Sequence, residues 1–341
     1  MAQEQLDTSR KRLDREEWSR YWQRGTVTTF EGHFRDNYDA EIRDFWWRQF
    51  EPIPDGGALV DLATGNGALP LLAARFAREH GRSFSILGLD NAALDPARLR
   101  EARPELADDL DSVTLVGNTP LEGTGLETAS ADLVTSQFGF EYGDTAAGAR
   151  EAFRILRPGG RLAMILHHAQ SAILDQAREG LVQVDLCVEQ ERLPALARRL
   201  IKLLPSMERA AERNVPLSPG ARKLRDQMLE SVERLKLHAM RPEVRDADAG
   251  FIEFLVPTLM RLVDQSRALA PGAVELAWKA IWGEIDSYRL RMADLVSAAH
   301  SEDGIATIRE QLEAAGFGEA RTGRLEYGDR LLGWTLEAGR P

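Results

Sequence analysis

Between residues 57 and 168, short apolar runs alternate with amphipathic stretches. The runs Ala58 to Leu62, Ser85 to Asp90, Ser112 to Val116, Ala131 to Ser136 and Arg161 to Leu166 read as strands. Leu69 to His80 and Gly148 to Leu156 repeat their apolar residues at helical spacing. This rhythm predicts parallel strands joined by crossover helices. From 169 to 300 the pattern is helical throughout. Ser218 followed by Pro219 is a helix start, with Leu224, Met228, Val232 and Leu235 on one face. Trp278, Ile281, Trp282, Ile285, Tyr288, Met292 and Leu295 keep helical spacing. Gly304 to Ala315 predicts one more helix, stopped by Gly316. Two strands follow, near Glu319 to Tyr327 and Leu331 to Glu337, joined by a Gly-Asp turn.

The expected organisation has four parts. Residues 1–50 form a helical, aromatic-rich cover, since ten of the 24 aromatics fall between Trp18 and Phe50. Residues 51–168 form an α/β core, 169–300 a helical insertion, and 301–341 a helix and strand pair completing the core. The chain of 341 residues suits one domain carrying a large insertion. Its net charge of −11 disfavours long-range attraction to nucleic acid or an anionic membrane. The one cysteine, Cys187, excludes an intramolecular disulfide and fits a reducing compartment. The first residues lack an apolar leader, and no run reaches the length of a membrane helix. A cytoplasmic location is expected.

The stretch "VDLATGNG", residues 60–67, ends a strand in an acid and runs into a turn of small residues. Such a turn before a helix lets the backbone approach a ligand and offers free N–H groups. A dinucleotide fingerprint would place a third glycine at position 70, where this chain has Pro70. The second strand ends in Asp90, an acid suited to accept from both hydroxyls of a ribose. The corner therefore suits an adenosine-type ligand without clear provision for its phosphates.

These residues resemble the class I S-adenosylmethionine-dependent methyltransferases, over about residues 35–168 and 301–338. "VDLATGNG" resembles the family's first motif, with Ala63 at the usual first glycine. "LVGNTPLEG" resembles the loop that flanks the adenine, with Asn118 where an aspartate is common. "SADLVTSQFGFEY" resembles the fourth-strand motif, and "AFRILRPGGRLAMI" the helix, Pro-Gly-Gly turn and fifth strand. The hairpin after "LEAAGFGEAR" resembles the reversed last strand pair. The resemblance implies a doubly wound, mostly parallel seven-stranded sheet, a Rossmann-like fold with a large helical insertion. It implies S-adenosylmethionine as cofactor, held by Asp61, Ala63, Gly65, Asn66, Gly67, Asp90, Asn91, Asn118, Thr119, Gln137 and Phe138. Tyr21, Phe30 and Tyr38 are candidates to close over it, or to pack elsewhere.

Methyl transfer asks mainly for alignment and exclusion of water, with a base needed where the nucleophile arrives protonated. In "LHHA", His167 and His168 sit where the fifth strand leaves the sheet, and successive strand residues face opposite ways. One of them is a candidate base. Glu141 is another, or a solvated or helix-capping carboxylate. Cys187 reads as a small buried residue. The six histidines show no zinc-like spacing, so no metal is expected.

The insertion is expected to be a substrate lid, a homodimer surface or both. Its stretch "GFIEFLVPTLMRLV" is apolar on more than one face, with Phe251, Leu255 and Leu259 beside Ile252, Val256 and Met260. Such a helix is buried all round or lines an apolar pocket. No Asn-Pro-Pro-Tyr or Pro-Cys follows the fourth strand, which disfavours adenine, glutamine or cytosine methylation. "QFGFEYGDTAAGAREAFRILRPGGR" resembles small-molecule enzymes, including quinone-biosynthesis methyltransferases, and with an acidic surface and an apolar lid implies a small, partly hydrophobic metabolite. The methylated atom stays open among oxygen, nitrogen and carbon. Two other classes also stay open: an NAD-dependent oxidoreductase, and a non-catalytic dimeric scaffold with this fold. A macromolecular acceptor would require Arg198, Arg199 and Lys202 to form a basic stripe beside the site, whereas one helix face in solvent accounts for them equally.

Overall fold

The computed structural model describes residues 13, 15–29, 37–247 and 249–341. It forms two compact units, Met1–Ala172 with Ala298–Pro341, and Ile173–Ser297. Along the first unit run α1 (Arg15–Trp22), α2 (Ala40–Phe50), β1 (Ala58–Leu62), α3 (Ala68–Glu79), β2 (Ser85–Leu89), α4 (Pro96–Ala102), α5 (Ala107–Leu110), β3 (Val113–Val116), β4 (Ala131–Gln137), α6 (Thr145–Ile155) and β5 (Leu156–His167). The helical stretch then holds α7 (Ala172–Asp185), α8 (Leu193–Glu212), α9 (Pro219–Ala239), α10 (Pro242–Ala247), α11 (Phe251–Gln265) and α12 (Pro271–Ala298). The chain closes with α13 (Glu302–Ala315), β6 (Arg321–Tyr327) and β7 (Arg330–Gly339).

The seven strands form one sheet in the order β3-β2-β1-β4-β5-β7-β6. β1 to β5 are parallel, and β7 runs antiparallel to both β5 and β6. β1 is buried along nearly its whole length because helices cover both faces, so it reads as an apolar run broken only by Asp61. β3, at the edge, alternates between half-buried and exposed residues. β1 pairs with β2 on one side and β4 on the other. The strand order thus reverses between β1 and β4, the point where open α/β sheets place a ligand at the carboxyl ends of the strands. Leu62, Val134, Leu162 and Met164 pack with Ala149 and Ala152 of α6 and Ile305, Ile308 and Leu312 of α13. Each such fully buried aliphatic side chain contributes about 1.5–3 kcal/mol.

Local chemistry sets the helix ends. Asp95, Asp144, Ser218 and Ser301 each accept from the backbone N–H three residues on, opening α4, α6, α9 and α13. Gly316, at φ +109°, stops α13 in the left-handed conformation that favours glycine. Gly328 and Asp329 make the turn between β6 and β7, with Tyr327 opposite Arg330. One boundary differs from the sequence expectation. β5 begins at Leu156 rather than Arg161, because Leu156 already pairs with Ala131 and the Pro-Gly-Gly is carried as a bulge inside the strand.

The helical unit has its own core. Leu193, Ala197, Leu224, Met228, Leu235, Phe251, Ile252, Leu255, Leu259, Trp278 and Ile285 are buried in it. α11 packs both of its apolar faces here, apart from exposed Phe254 and Met260. Cys187 is buried in the same core, within a π-helical turn at Leu186–Gln190.

Candidate active site

The turn after β1 alternates handedness. Ala63, Gly65 and Gly67 have φ of +54°, +54° and +83°, so the chain reverses within a few residues before α3 begins. A left-handed alanine costs about 1–2 kcal/mol, which the surrounding packing must offset. Thr64 donates its N–H to the Leu89 carbonyl at 2.9 Å, fastening the turn to β2. A Cβ on Gly67 would lie 2.8 Å from Leu115, and one on Gly139 would lie 2.7 Å from the Cβ of Ala63. The loops after β1 and β4 are therefore in direct contact, and neither glycine has room for a side chain.

Two buried carboxylates flank this turn. Asp61 Oδ1 accepts from the Thr135 hydroxyl at 2.8 Å. Burial, with Asp90 nearby, pushes its carboxyl up to about 7 against the hydroxyls that stabilise its charged form. Asp90 Oδ2 accepts from the Gly65 N–H and Oδ1 from the Ala92 N–H, both at 2.7 Å. Burial raises the Asp90 pKa, opposed by those two amides. A carboxylate oxygen has two acceptor positions, so each Asp90 oxygen retains one. Asn118 donates its N–H to the Ala92 carbonyl and Thr119 to the Asp90 carbonyl, which seats the loop after β3 against the loop after β2. Asn91 and Asn118 themselves face solvent.

The N-terminal segment lies over the turn. Asn66 Nδ2 donates to the Trp22 and Thr26 carbonyls at 2.8 and 2.7 Å. Ser19 Oγ accepts from the Ala93 N–H at 2.9 Å. A Cβ on Gly65 would fall 2.4 Å from the Trp22 ring, so that ring occupies the space glycine leaves open. Trp22 stacks on Trp18 with centroids 6.4 Å apart, and Tyr21 meets Trp22 edge-on at 5.0 Å. Tyr38 is buried with its phenol beside Gln137, and burial raises its pKa. The Trp46 indole N–H donates to Gln137 Oε1. Phe30 lies outside the described residues.

Glu141, in the short 3-10 turn Phe140–Tyr142 after β4, is buried at 1% exposure. Its Oε1 accepts from the His167 backbone N–H at 2.8 Å. Its Oε2 has no hydrogen-bond partner among the described residues. Burial pushes its carboxyl up to about 7. A solvated carboxylate, one of the readings open from sequence, does not describe it. The His167 ring stacks on Phe138 at 4.6 Å and meets Tyr142 edge-on at 6.0 Å. Burial pushes its pKa down to about 3. An imidazole so reluctant to take a proton is a poor acceptor at neutral pH, which weighs against the base expected at His167. His168 Nδ1 accepts from the Gln170 N–H at 2.9 Å, and its ring stacks on Trp334 at 4.3 Å. It is a packed residue beside the β7 strand.

The structure thus gathers Asp61, Ala63, Gly65, Asn66, Gly67, Asp90, Gln137, Phe138, Tyr21 and Tyr38 around one corner. Sequence reasoning missed Trp18, Trp22 and Thr135. The dense N-terminal aromatics signalled a cover, but not which ring would rest on Gly65. Among the described residues no three His, Cys, Asp or Glu gather as a metal site, and no helix is long and apolar enough to cross a membrane.

A parallel sheet extended by a reversed β7, with acids closing β1 and β2 around a glycine turn, is the architecture of a Rossmann-like methyltransferase. Residues 60–164 match the family model described as a methyltransferase domain. The chain is 30% identical over 172 residues to 2-phytyl-1,4-naphtoquinone methyltransferase of Thermosynechococcus vestitus, covering 48% of this chain and 71% of that protein. It is 32% identical over 111 residues to dimethylglycine N-methyltransferase of Parasynechococcus marenigrum, covering 32% of this chain but only 37% of the relative's length. Geranyl diphosphate C-methyltransferase of Streptomyces coelicolor A3(2) aligns structurally at 19% identity and a TM-score of 0.32, over 45% of this chain and 64% of that one. The chain belongs to the class I S-adenosylmethionine-dependent methyltransferases.

Proposed function

We propose that this protein methylates a small, partly hydrophobic metabolite, with S-adenosylmethionine as donor. The observation that carries the reading is Asp90. Its carboxylate, just past β2, bonds the turn after β1, the strand beside which the order reverses, and both oxygens keep an acceptor position after binding Gly65 and Ala92. Two adjacent hydroxyls on a ribose suit it. Gly65 and Gly67 let the backbone approach the rest of the cofactor, and the loop carrying Asn118 and Thr119 would border the adenine. When bound, the cofactor supplies a methyl group activated on a sulfonium. The chain's part is to align the acceptor with that methyl and exclude water. Trp22, resting on Gly65, would form part of the cover over the methionine end, moving aside as the cofactor enters.

The relatives support a small acceptor, since one is named for dimethylglycine and the other for a naphtoquinone. Calorimetric titration with S-adenosylmethionine, S-adenosylhomocysteine and NAD tests the reading. Binding of the two adenosyl sulfur ligands without NAD is expected. Binding of NAD alone would return the chain to the oxidoreductases, and binding of none would favour a non-catalytic scaffold.

A further inference from the structure

We propose that the acceptor carries a positively charged nitrogen, recognised by a run of aromatic rings and the Glu141 carboxylate, and that nitrogen is the atom methylated. The inference rests on the methyltransferase reading above and names the substrate class within it.

The rings form an unbroken chain of contacts. Trp22 lies on Gly65, and Trp18 stacks on Trp22. Trp18 meets Tyr142 edge-on at 5.6 Å, Tyr142 meets His167, and His167 stacks on Phe138. The run leads from the glycine turn to the end of β5. Trp18, Trp22 and Tyr142 are each half-buried and keep part of their surface open. Aromatic faces carry partial negative charge and attract desolvated cations with about 2 kcal/mol or more.

Glu141 lies at the inner end of this run. One carboxylate oxygen is held by the His167 N–H, and the Glu141 and Gly139 amides also favour the charged form; Oε2, nine-tenths and more buried, has no hydrogen-bond partner among the described residues. A buried carboxylate with an unfilled oxygen is costly unless it is protonated or meets a cation. Among the described residues no Lys or Arg pairs with it, and the neighbouring His167 is held neutral. Arg24 rests over Tyr21, the ring beside Trp18 and Trp22, but no Lys or Arg among the described residues reaches Glu141, and its cation is left to a ligand. An uncharged quinol could use the rings but would leave Oε2 unpaired.

The reaction then balances simply. An ammonium acceptor gives one proton to Glu141, whose burial favours the protonated form. The freed nitrogen lone pair forms the new nitrogen–carbon bond as the methyl–sulfur bond breaks. The positive charge passes from sulfur to nitrogen, and a neutral thioether remains.

The test uses the full chain saturated with S-adenosylhomocysteine. Tryptophan fluorescence is titrated with choline and with 3,3-dimethylbutan-1-ol, its uncharged carbon isostere. Choline should bind about tenfold or more tighter, the factor expected of a desolvated cation on aromatic faces. Glu141→Gln and Trp18→Leu should each erase most of that preference. Equal affinity for the two ligands, absence of binding by both, or a preference that neither substitution moves would overturn the proposal. The wild-type comparison stands alone if a variant does not fold. Binding of S-adenosylhomocysteine without a preference for choline removes this inference and leaves the methyltransferase reading intact. Failure of S-adenosylhomocysteine itself to bind removes that reading.

Discussion

The Gly65 amide and the Asp90 carboxylate are joined by a 2.7 Å hydrogen bond, so the turn after β1 is held by the acid that ends β2. Removing either partner disturbs both the shape of the turn and the acceptor oxygens beside it.

Asp90→Ala should weaken S-adenosylhomocysteine binding by roughly 30-fold or more, because hydrogen bonds to a charged group contribute about 1.5–3 kcal/mol each. It should also lower stability, since the Gly65 and Ala92 amides lose their acceptor. Calorimetry on the folded variant measures the first effect, and unchanged affinity would dismiss the ribose assignment.

Gly65→Ala introduces a side chain at φ +54° and drives it into the Trp22 ring. The backbone cost alone is about 1–2 kcal/mol. In a double-mutant cycle read by thermal unfolding, Gly65→Ala should cost less in a Trp22→Ala background. Additive effects would show that Trp22 does not rest on the turn.

The Glu141 carboxyl is raised from its ordinary 4.5 to about 7 by burial. Between those values the folded state keeps a proton that the unfolded chain has released. Its stabilising contribution is therefore complete below pH 4.5 and is lost as pH rises through 7. Glu141→Gln should gain stability relative to the parent over that window and level off above it. His167 and Asp61 titrate in both proteins, so the difference between unfolding curves isolates Glu141. A difference flat from pH 4.5 to 8 would contradict its burial.

Cys187 is fully buried, and burial pushes its thiol up to about 12. The thiolate is the reactive form, so the native protein should resist a thiol reagent such as dithionitrobenzoate at pH 8. Denaturant should release one equivalent. Rapid labelling of the native chain would mean that the core around α8, α9 and α11 opens readily.

Much of the fold was legible because burial on both faces leaves continuous apolar strands, and Ala58–Leu62 was read with its observed limits. The caps at Ser218 and Gly316 were legible for local reasons, a hydroxyl acceptor and a left-handed φ. The Pro-Gly-Gly misled, because a bulge within a strand and a turn before one use the same residues. At the candidate site, spacing singled out Asp61, Gly65, Gly67 and Asp90, and the structure brings them to one turn. Glu141 stood among the candidates, but its burial was not legible, since a carboxylate between aromatic residues looks the same in sequence whether solvated or buried. The contact between Trp22 and Gly65 joins distant parts of the chain, and no local pattern encodes it.

β5 pairs along its length with β7, Arg161 opposite Gly339 and His167 opposite Gly333. The whole helical unit is synthesised between those strands. On a ribosome adding 5–20 residues per second, β5 therefore waits roughly ten to thirty seconds for its partner. During that interval the apolar run Leu162–Leu166 presents an unpaired edge, the kind of surface that recruits chaperones or other nascent chains. Yield of the native protein is then governed by how fast the intervening helices are translated and how well that edge is shielded, more than by the final stability of the sheet.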